Sequence, residues 1–247
     1  MVTVIMPAYN CERFLEEAVE SVKAQTYREW ELLIIDDCST DNTKEIAEKL
    51  ADNDRRIRTI HNKENIGVSK TRNRGIQEAV GDWIAFLDSD DVWEPEKLER
   101  QLKLTADRDA DIVYCSYDLI DDMGKTIHKA FIVPEETSFR SMLTASVISC
   151  STAMIRTPLL KENLFNPYVY HEDYLLWMEL LRNESKAIGD ARVLAHYRQV
   201  SGSRNIRKGN AAKERWRIYR KYLKLGMLTS VYAFVGYAIK GMVKYYF

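Results

Sequence analysis

The strongest constraint in this sequence is a rhythm of five short apolar runs: VTVIM (2–6), ELLII (31–35), IRTI (57–60), WIAFL (83–87) and DIVYC (111–115). Each is too short for a helix and rich in residues that suit a buried strand. Between them lie stretches whose apolar residues recur three and four apart, the spacing of one helix face. A chain that alternates in this way lays down parallel strands joined by crossover helices, the α/β class. The first connection predicts a helix over 11–25 with Phe14, Leu15, Ala18, Val19 and Val22 inward and Asn10 as its cap. Ser39 or Asp41 caps the second helix, which runs to about residue 51; the third covers 69–80 and the fourth 94–106, with Pro95 in its first turn. In sheets of this kind ligands bind beyond the carboxyl ends of the strands, and PAYN, DDCST and DSDD all fall there.

After Tyr117 the rhythm changes. DDMGK (121–125) reads as a turn between two short strands that end near Val133; helices follow over 138–145 and 173–183, and a strand over 192–197. SGSRN (201–205) is a loop, and two helices with a break near Gly226 complete the chain. The 247 residues suffice for one large α/β domain and an appendage, and 46% apolar content with only 5 prolines excludes extended disorder. We divide the chain into a body, 1–203, with halves 1–115 and 116–203, and a tail, 204–247.

The net charge of −1 conceals an opposition between these parts. The tail holds eleven Lys and Arg against a single acid, Glu214, for a net of +10, and leaves the body at −11. Such a tail suits an anionic surface. Its last segment, MLTSVYAFVGYAI (227–239), is shorter than the roughly 20 residues that span a bilayer. It is rich in Tyr and Phe, bracketed by Lys224, Lys240 and Lys244, and preceded by Arg215, Arg217, Arg220 and Lys221. That composition fits a helix lying in a membrane interface. The competing reading is a core helix packed on the body. Helical periodicity without an RNA-binding motif argues against a nucleic acid. Four cysteines (Cys11, Cys38, Cys115, Cys150) lie far apart with no CxxC pair, as expected of reduced thiols in the cytoplasm and not of a disulfide or zinc framework. MVTVIMPAYN shows no signal-peptide pattern.

The stretch AFLDSDDVW (85–93) places three aspartates within four positions at a strand end. Asp88 and Asp90, two apart, face one side of an extended chain. Carboxylates this close raise each other's proton affinity unless a cation sits among them. A hard cation such as Mn²⁺ or Mg²⁺ takes carboxylate oxygens and completes its shell with water and substrate phosphates. An EF-hand starting at Asp88 needs Gly at its sixth position, where Trp93 stands. A haloacid dehalogenase-type phosphatase carries its Asp-x-Asp after the first strand, whereas here the pair follows the fourth. The plain alternative is a turn with capping aspartates.

VIMPAYN, LLIIDDCSTDNT (32–43), NIGVSKTRNRG (65–75) and AFLDSDDVWEPEKL (85–98), in this order and spacing, resemble the nucleotide-sugar half of the inverting family 2 glycosyltransferases, and HEDYLLWMELL (171–181) resembles their acceptor-side signature. The resemblance covers about residues 1–200. The tail is similar to the ends of bacterial members that build cell-surface polysaccharides of the teichuronic acid and O-antigen kinds. It implies a GT-A fold: a mostly parallel central sheet flanked by helices, with 1–115 binding the nucleotide sugar, 116–203 shaping the acceptor side, and a helical tail.

The resemblance also implies roles. Pro7, Ala8, Tyr9 and Asn10 pack on the base and ribose, and Asp37 reads the base, with Asp36 structural. Arg72 supplies a cation toward the nucleotide or diphosphate. Asp88 and Ser89 contact the nucleotide sugar; Asp90 coordinates Mn²⁺ or Mg²⁺, and Asp88 joins it directly or through water. Asp91 begins the next helix. Asp173 is the general base, Glu172 assists it, and Trp177, with His171 and Tyr174, shapes the acceptor pocket. By composition alone, Glu172 and Asp173 need only begin a helix, where acids are favoured. One departure is visible. Members often carry YRxH near this point, but HYRQV places Val200 where the histidine stands, and His196 on the strand reads as structural. The loop 201–205 is placed to close over the donor. The implied reaction moves a sugar, UDP-linked by expectation, to a hydroxyl of a growing lipid-linked glycan, with the tail holding the enzyme at the inner face of the cytoplasmic membrane. A sugar-phosphate nucleotidyltransferase needs a Gly-rich GxGTR-like loop where PAYN stands. A non-enzymatic membrane adaptor is the other alternative.

Overall fold

The computed structural model describes residues 1–199 and 208–246. The elements run β1 (Val2–Ala8), α1 (Leu15–Lys23), β2 (Trp30–Asp36), α2 (Thr43–Asn53), β3 (Ile57–His61), α3 (Val68–Glu78), β4 (Trp83–Phe86), β5 (Val92–Trp93) and α4 (Lys97–Arg108). They continue β6 (Ile112–Ile120), β7 (Glu136–Thr137), α5 (Phe139–Thr144), β8 (Met154–Arg156), α6 (Thr157–Glu162), α7 (Glu172–Arg182), β9 (Ala187–Arg198), α8 (Lys208–Arg217) and α9 (Met227–Tyr246). One sheet holds the strands in the order β3-β2-β1-β4-β8-β6-β9-β5, with β7 on β9. The pairings of β1 with β2 and β4, and of β2 with β3, are parallel. Beyond β4 the sheet is mixed: β8 is antiparallel to both β4 and β6, while β6 and β9 run parallel.

Strand alternation sets two cores. Val2, Val4, Met6 and Ala8 of β1 face α1, α2 and α4, whereas Ile5 joins Leu33, Ile35, Ile84 and Phe86 on the face covered by α3 and α7. Gly75 of α3 lies over β1 so closely that a Cβ would fall 2.6 Å from Ile5 Cγ2. This approach fixes the depth at which Arg72, on the same helix, enters the molecule.

Several elements differ from the sequence expectation. α1 starts at Leu15, not Cys11. Asn10 does not cap it: at φ 49° it stands in the left-handed region, and its side chain accepts from the Thr40 amide at 2.8 Å. The residues expected to open the helix instead tie the β1 turn to the β2 turn. The 121–125 turn is present, through Asp121 N–H to Lys125 O at 2.9 Å, but the segment after it forms no continuous strand and pairs with β6 through the isolated bridges Ile120–Thr126 and Tyr117–Phe131. The short β5 and β8 escape sequence reading because strands of two or three residues carry no period. The 201–205 loop and Val200 lie outside the described residues.

The tail packs on the body. Ile218, Tyr219, Leu223 and Leu225, between α8 and α9, are buried in the α3/α7 core. The Tyr219 hydroxyl donates to Leu143 O at 2.6 Å, and Arg182 donates to Leu223 O at 2.7 Å. α9 turns small residues inward: Ser230 and Ala233 are fully buried, and a Cβ on Gly236 would meet Thr144 Cγ2 at 2.5 Å. Its large apolar residues Leu228, Val231, Tyr232, Val235 and Ile239 point outward, spaced as one helical stripe. No described helix is long and apolar enough to cross a membrane.

Candidate active site

The strand-end loops meet at one edge of the sheet. Asp88 and Asp90 follow β4; Asp91 is fully buried beneath them, accepting from Ser151 Oγ and, at 2.9 Å, from the Arg198 amide. Burial, followed by the charges of Asp90 and Asp88, drives the Asp91 carboxyl well above the usual carboxylate range. Burial and then the charge of Asp88 raise Asp90 to about 6, against the pull of Arg198. Three carboxylates are thus crowded, each with a different environment.

Arg198, at the end of β9, holds this loop. Its Nε donates to Asp90 O at 2.8 Å, Nη1 to Asp121 O at 3.0 Å and Nη2 to Glu17 at 2.6 Å. Sequence reasoning did not single out Arg198 or Ser151. The available signal was an arginine at the end of an apolar strand, where burial demands that every N–H find an acceptor.

Arg72 is the centre of the arrangement. Nη2 donates to Asp88 at 2.6 Å and Nη1 to Glu172 at 2.9 Å, joining residues 16 and 100 positions away. Its side chain is 5% exposed. Burial works against the charge, yet Asp88 and the other neighbouring charges hold the guanidinium well above its ordinary value. In this structure the fork of Arg72 is directed at two carboxylates of the protein itself, Asp88 and Glu172.

Glu172 and Asp173 open α7. Burial and then the charge of Asp173 raise Glu172 to about 7, with Arg72 pulling the other way. Asp173 accepts from the Tyr174 amide at 2.7 Å and, among the described residues, forms no ion pair. Trp177 is not in a pocket. It is fully buried, with Phe86 at 6.3 Å and Phe165 at 6.0 Å between ring centroids. One turn along α7 from Asp173, it falls on the face turned to the sheet. Tyr174 is likewise in the core, its hydroxyl on Met142 O at 2.9 Å. His171 is partly buried, edge-on to Tyr170 at 5.1 Å.

On the opposite flank, Asp37 is buried and accepts from Asn62 at 2.8 Å, the Ile66 amide at 3.0 Å and the Gly67 amide at 2.8 Å. Three of its roughly four acceptor positions are thus taken by the 62–67 loop. Pro7 and Ala8 end β1, and Tyr9 stands half exposed beyond them. Ser89 is buried among these loops. His196 lies between Asp118, 2.6 Å from Nδ1, and Glu94, 2.9 Å from Nε2. Burial would lower its pKa, but the bonds to Asp118 and Glu94 prevail and raise it. It acts as a cross-tie between β5, β6 and β9.

The described residues contain no cluster of three His, Cys, Asp or Glu side chains able to hold a metal. Asp88 and Asp90 fit a hard divalent cation as a partial donor set: both are oxygen ligands, and Asp90 is raised first by burial and then by the charge of Asp88, both of which disfavour a bare carboxylate. The remaining positions fall to water and to phosphate oxygens of a ligand.

Comparison with known proteins gives the same direction throughout. The family model "Glycosyl transferase family 2" matches residues 3–164. The putative teichuronic acid biosynthesis glycosyltransferase TuaG of Bacillus subtilis is 35% identical over 99% of this chain and 96% of its own length. The Escherichia coli UDP-Glc:alpha-D-GlcNAc-diphosphoundecaprenol beta-1,3-glucosyltransferase WfgD is 33% identical over 100% and 96%. Among solved structures, S. aureus TarS in complex with UDP-GlcNAc superposes with a TM-score of 0.77 over 98% of this chain and 72% of that one, at 22% identity. The mannosyltransferase PcManGT of Pyrobaculum calidifontis, with GDP-Man and Mn²⁺, gives 0.71 over 99% and 75%, at 17% identity. The nucleotidyltransferase and adaptor alternatives fall with these matches: the fold is GT-A, and the chain belongs to glycosyl transferase family 2.

Proposed function

We propose that this enzyme transfers a sugar from a UDP-sugar, with inversion, to a hydroxyl of a lipid-diphosphate-linked glycan at a membrane surface. The observation that carries this reading is the Arg72 fork, which ties Asp88 at the donor end of β4 to Glu172 at the head of α7. The donor loops and the acid pair are thereby held as one unit. The named activity of WfgD, at 33% identity, supports a UDP-linked donor and a diphosphoundecaprenol acceptor.

Pro7–Asn10 and the loop ordered by Asp37 form the nucleotide side. Asp90 and Asp88 would hold Mn²⁺ or Mg²⁺ when the donor is bound. When bound, the cation offsets charge on the departing diphosphate, as a Lewis acid worth several kcal/mol. Asp173 accepts the proton of the acceptor hydroxyl while that oxygen bonds to the anomeric carbon and the bond to the diphosphate breaks on the opposite face. Glu172, anchored by Arg72, keeps α7 in place and leaves Asp173 the uncommitted base. Replacing Asp90 with Asn is expected to remove the Mn²⁺ dependence of UDP binding, read by isothermal titration with and without Mn²⁺. Unchanged Mn²⁺-dependent affinity in that variant would overturn the metal assignment.

The tail supports the membrane part of the proposal. A helix that turns Ser230 and Ala233 inward and Leu228, Tyr232 and Ile239 outward leaves its main apolar stripe exposed among the described residues. Exposed Arg220, Lys221 and Lys224 precede it, as suits anionic headgroups. Truncation near residue 205 is a poor test, because Ile218, Tyr219 and Leu223 belong to the core. The variant Leu228→Ser/Tyr232→Ser/Ile239→Ser spares the buried face and is expected to abolish sedimentation with phosphatidylglycerol vesicles while leaving Tm unchanged. Undiminished sedimentation would sink this part.

A further inference from the structure

A cavity of about 350 Å³ opens beside Glu172, the partner of Arg72. Its walls include Ser69 at the start of α3, Tyr168, Tyr170 and Glu172 ahead of and in α7, and Glu214 and Arg217 of α8. Such a volume suits a small ligand. Two parts of the chain about 45 residues apart in sequence thus share one pocket, with α8 as a wall. α8 is fixed there: Arg215 is buried, its guanidinium 3.4 Å above the Tyr174 ring and 4.6 Å from that of Tyr237. Glu214 and Arg217, one turn apart, flank this anchor, 3.5 Å from one another.

The wall chemistry selects the ligand class. Glu172 is paired with Arg72 and Glu214 with Arg217, so the wall offers balanced polar groups rather than a net charge. They suit a neutral polyhydroxylated ring: carboxylates accept strongly from hydroxyls, the guanidinium donates, and tyrosine rings offer apolar faces with a polar tip. Tyr168 is 77% exposed and stands at this wall, its ring open to a ligand. Pro7–Asn10 and Asp88–Asp91 contribute nothing to the lining, whereas Ile66 and Gly67 of the loop held by Asp37 do, so the cavity adjoins the nucleotide side. We infer that the cavity is a subsite for a neutral sugar residue of the acceptor glycan, completed by Glu214 and Arg217 of the tail. This rests on the transferase reading above, and it makes the tail part of the substrate site as well as a membrane contact.

The test uses the full chain and two binding measurements that need no turnover. The probes are UDP with Mn²⁺, by titration, and N-acetylglucosamine diphosphate carrying a short alkyl chain, by saturation-transfer NMR. The wild type should show saturation of the sugar ring protons. Tyr168→Ala and Arg217→Ala should each weaken acceptor binding by about tenfold or more, the size of a lost stacking or charge-assisted contact, with UDP affinity and Tm unchanged. Acceptor binding that survives in both variants overturns the subsite and leaves the transferase reading standing. A matching loss of UDP affinity assigns the cavity to the donor and overturns it as well. A wild type that does not bind UDP at all overturns the transferase reading, and the subsite falls with it.

Discussion

Asp173→Asn is expected to lower sugar transfer by about 10²–10⁴-fold, the usual contribution of a positioned general base, with UDP affinity unchanged. The substitution is nearly isosteric and keeps an oxygen to accept from the Tyr174 amide. It removes the one function under test, acceptance of the acceptor proton. Loss of a negative charge from the first turn of α7 costs only about 0.3–1 kcal/mol of helix stability, so Tm should scarcely move. Glu172→Gln is the necessary companion. Glu172 sits near pKa 7 from burial and the adjacent Asp173, and it shares a hydrogen bond with Arg72. If Asp173→Asn transfers at the wild-type rate while Glu172→Gln does not, the base is Glu172 and the assignment is reversed.

Arg72→Met is expected to destabilise the fold by about 3 kcal/mol, at the low end for breaking a buried pair because Asp88 is partly exposed. For a chain of this size that is a fall in Tm of roughly 6–12 °C. Transfer should fall at least about 100-fold, because both Asp88 and Glu172 lose their common partner and the donor and acceptor sides are no longer tied. Arg72→Lys should recover only part of either loss, since an ammonium is a point charge that cannot fork to two carboxylates in fixed directions. The opposite pattern, lost transfer with Tm unchanged and UDP affinity reduced, would return Arg72 to the role implied by family resemblance, a cation for the departing diphosphate.

The two halves of the chain differ in how much they disclose. β1, β2 and β4 are legible because each is an apolar run flanked by helices, and β3 by its spacing, although the sheet order β3-β2-β1-β4 is not the sequence order. Their parallel pairing follows from the helices between them. The β8 and β5 strands are invisible because two or three residues establish no period, and their pairing is supplied by distant partners such as Ile112 and His196. The same holds for side chains. Asp88 and Asp90 announce themselves by adjacency and charge. Arg198 and Ser151, which hold that loop, lie 108 and 60 residues away from the residues they bond. Trp177 misleads for a related reason: α7 carries apolar residues around most of its circumference, so spacing does not reveal which side faces the sheet.

The sequence by itself determined the α/β class, the strand ends at which ligands gather, the crowded aspartates and the opposed charge of body and tail. These are properties of neighbours within a few residues, where periodicity and charge act directly. Tertiary structure alone decided that Arg72 is paired with Asp88 and Glu172, that Asp37 is bound by the 62–67 loop, and that α9 packs through its small residues while its large ones stay outside. These depend on which groups meet once the chain has closed on itself. A buried cation or amide takes whatever acceptor packing brings within about 3 Å, and no local pattern encodes that partner.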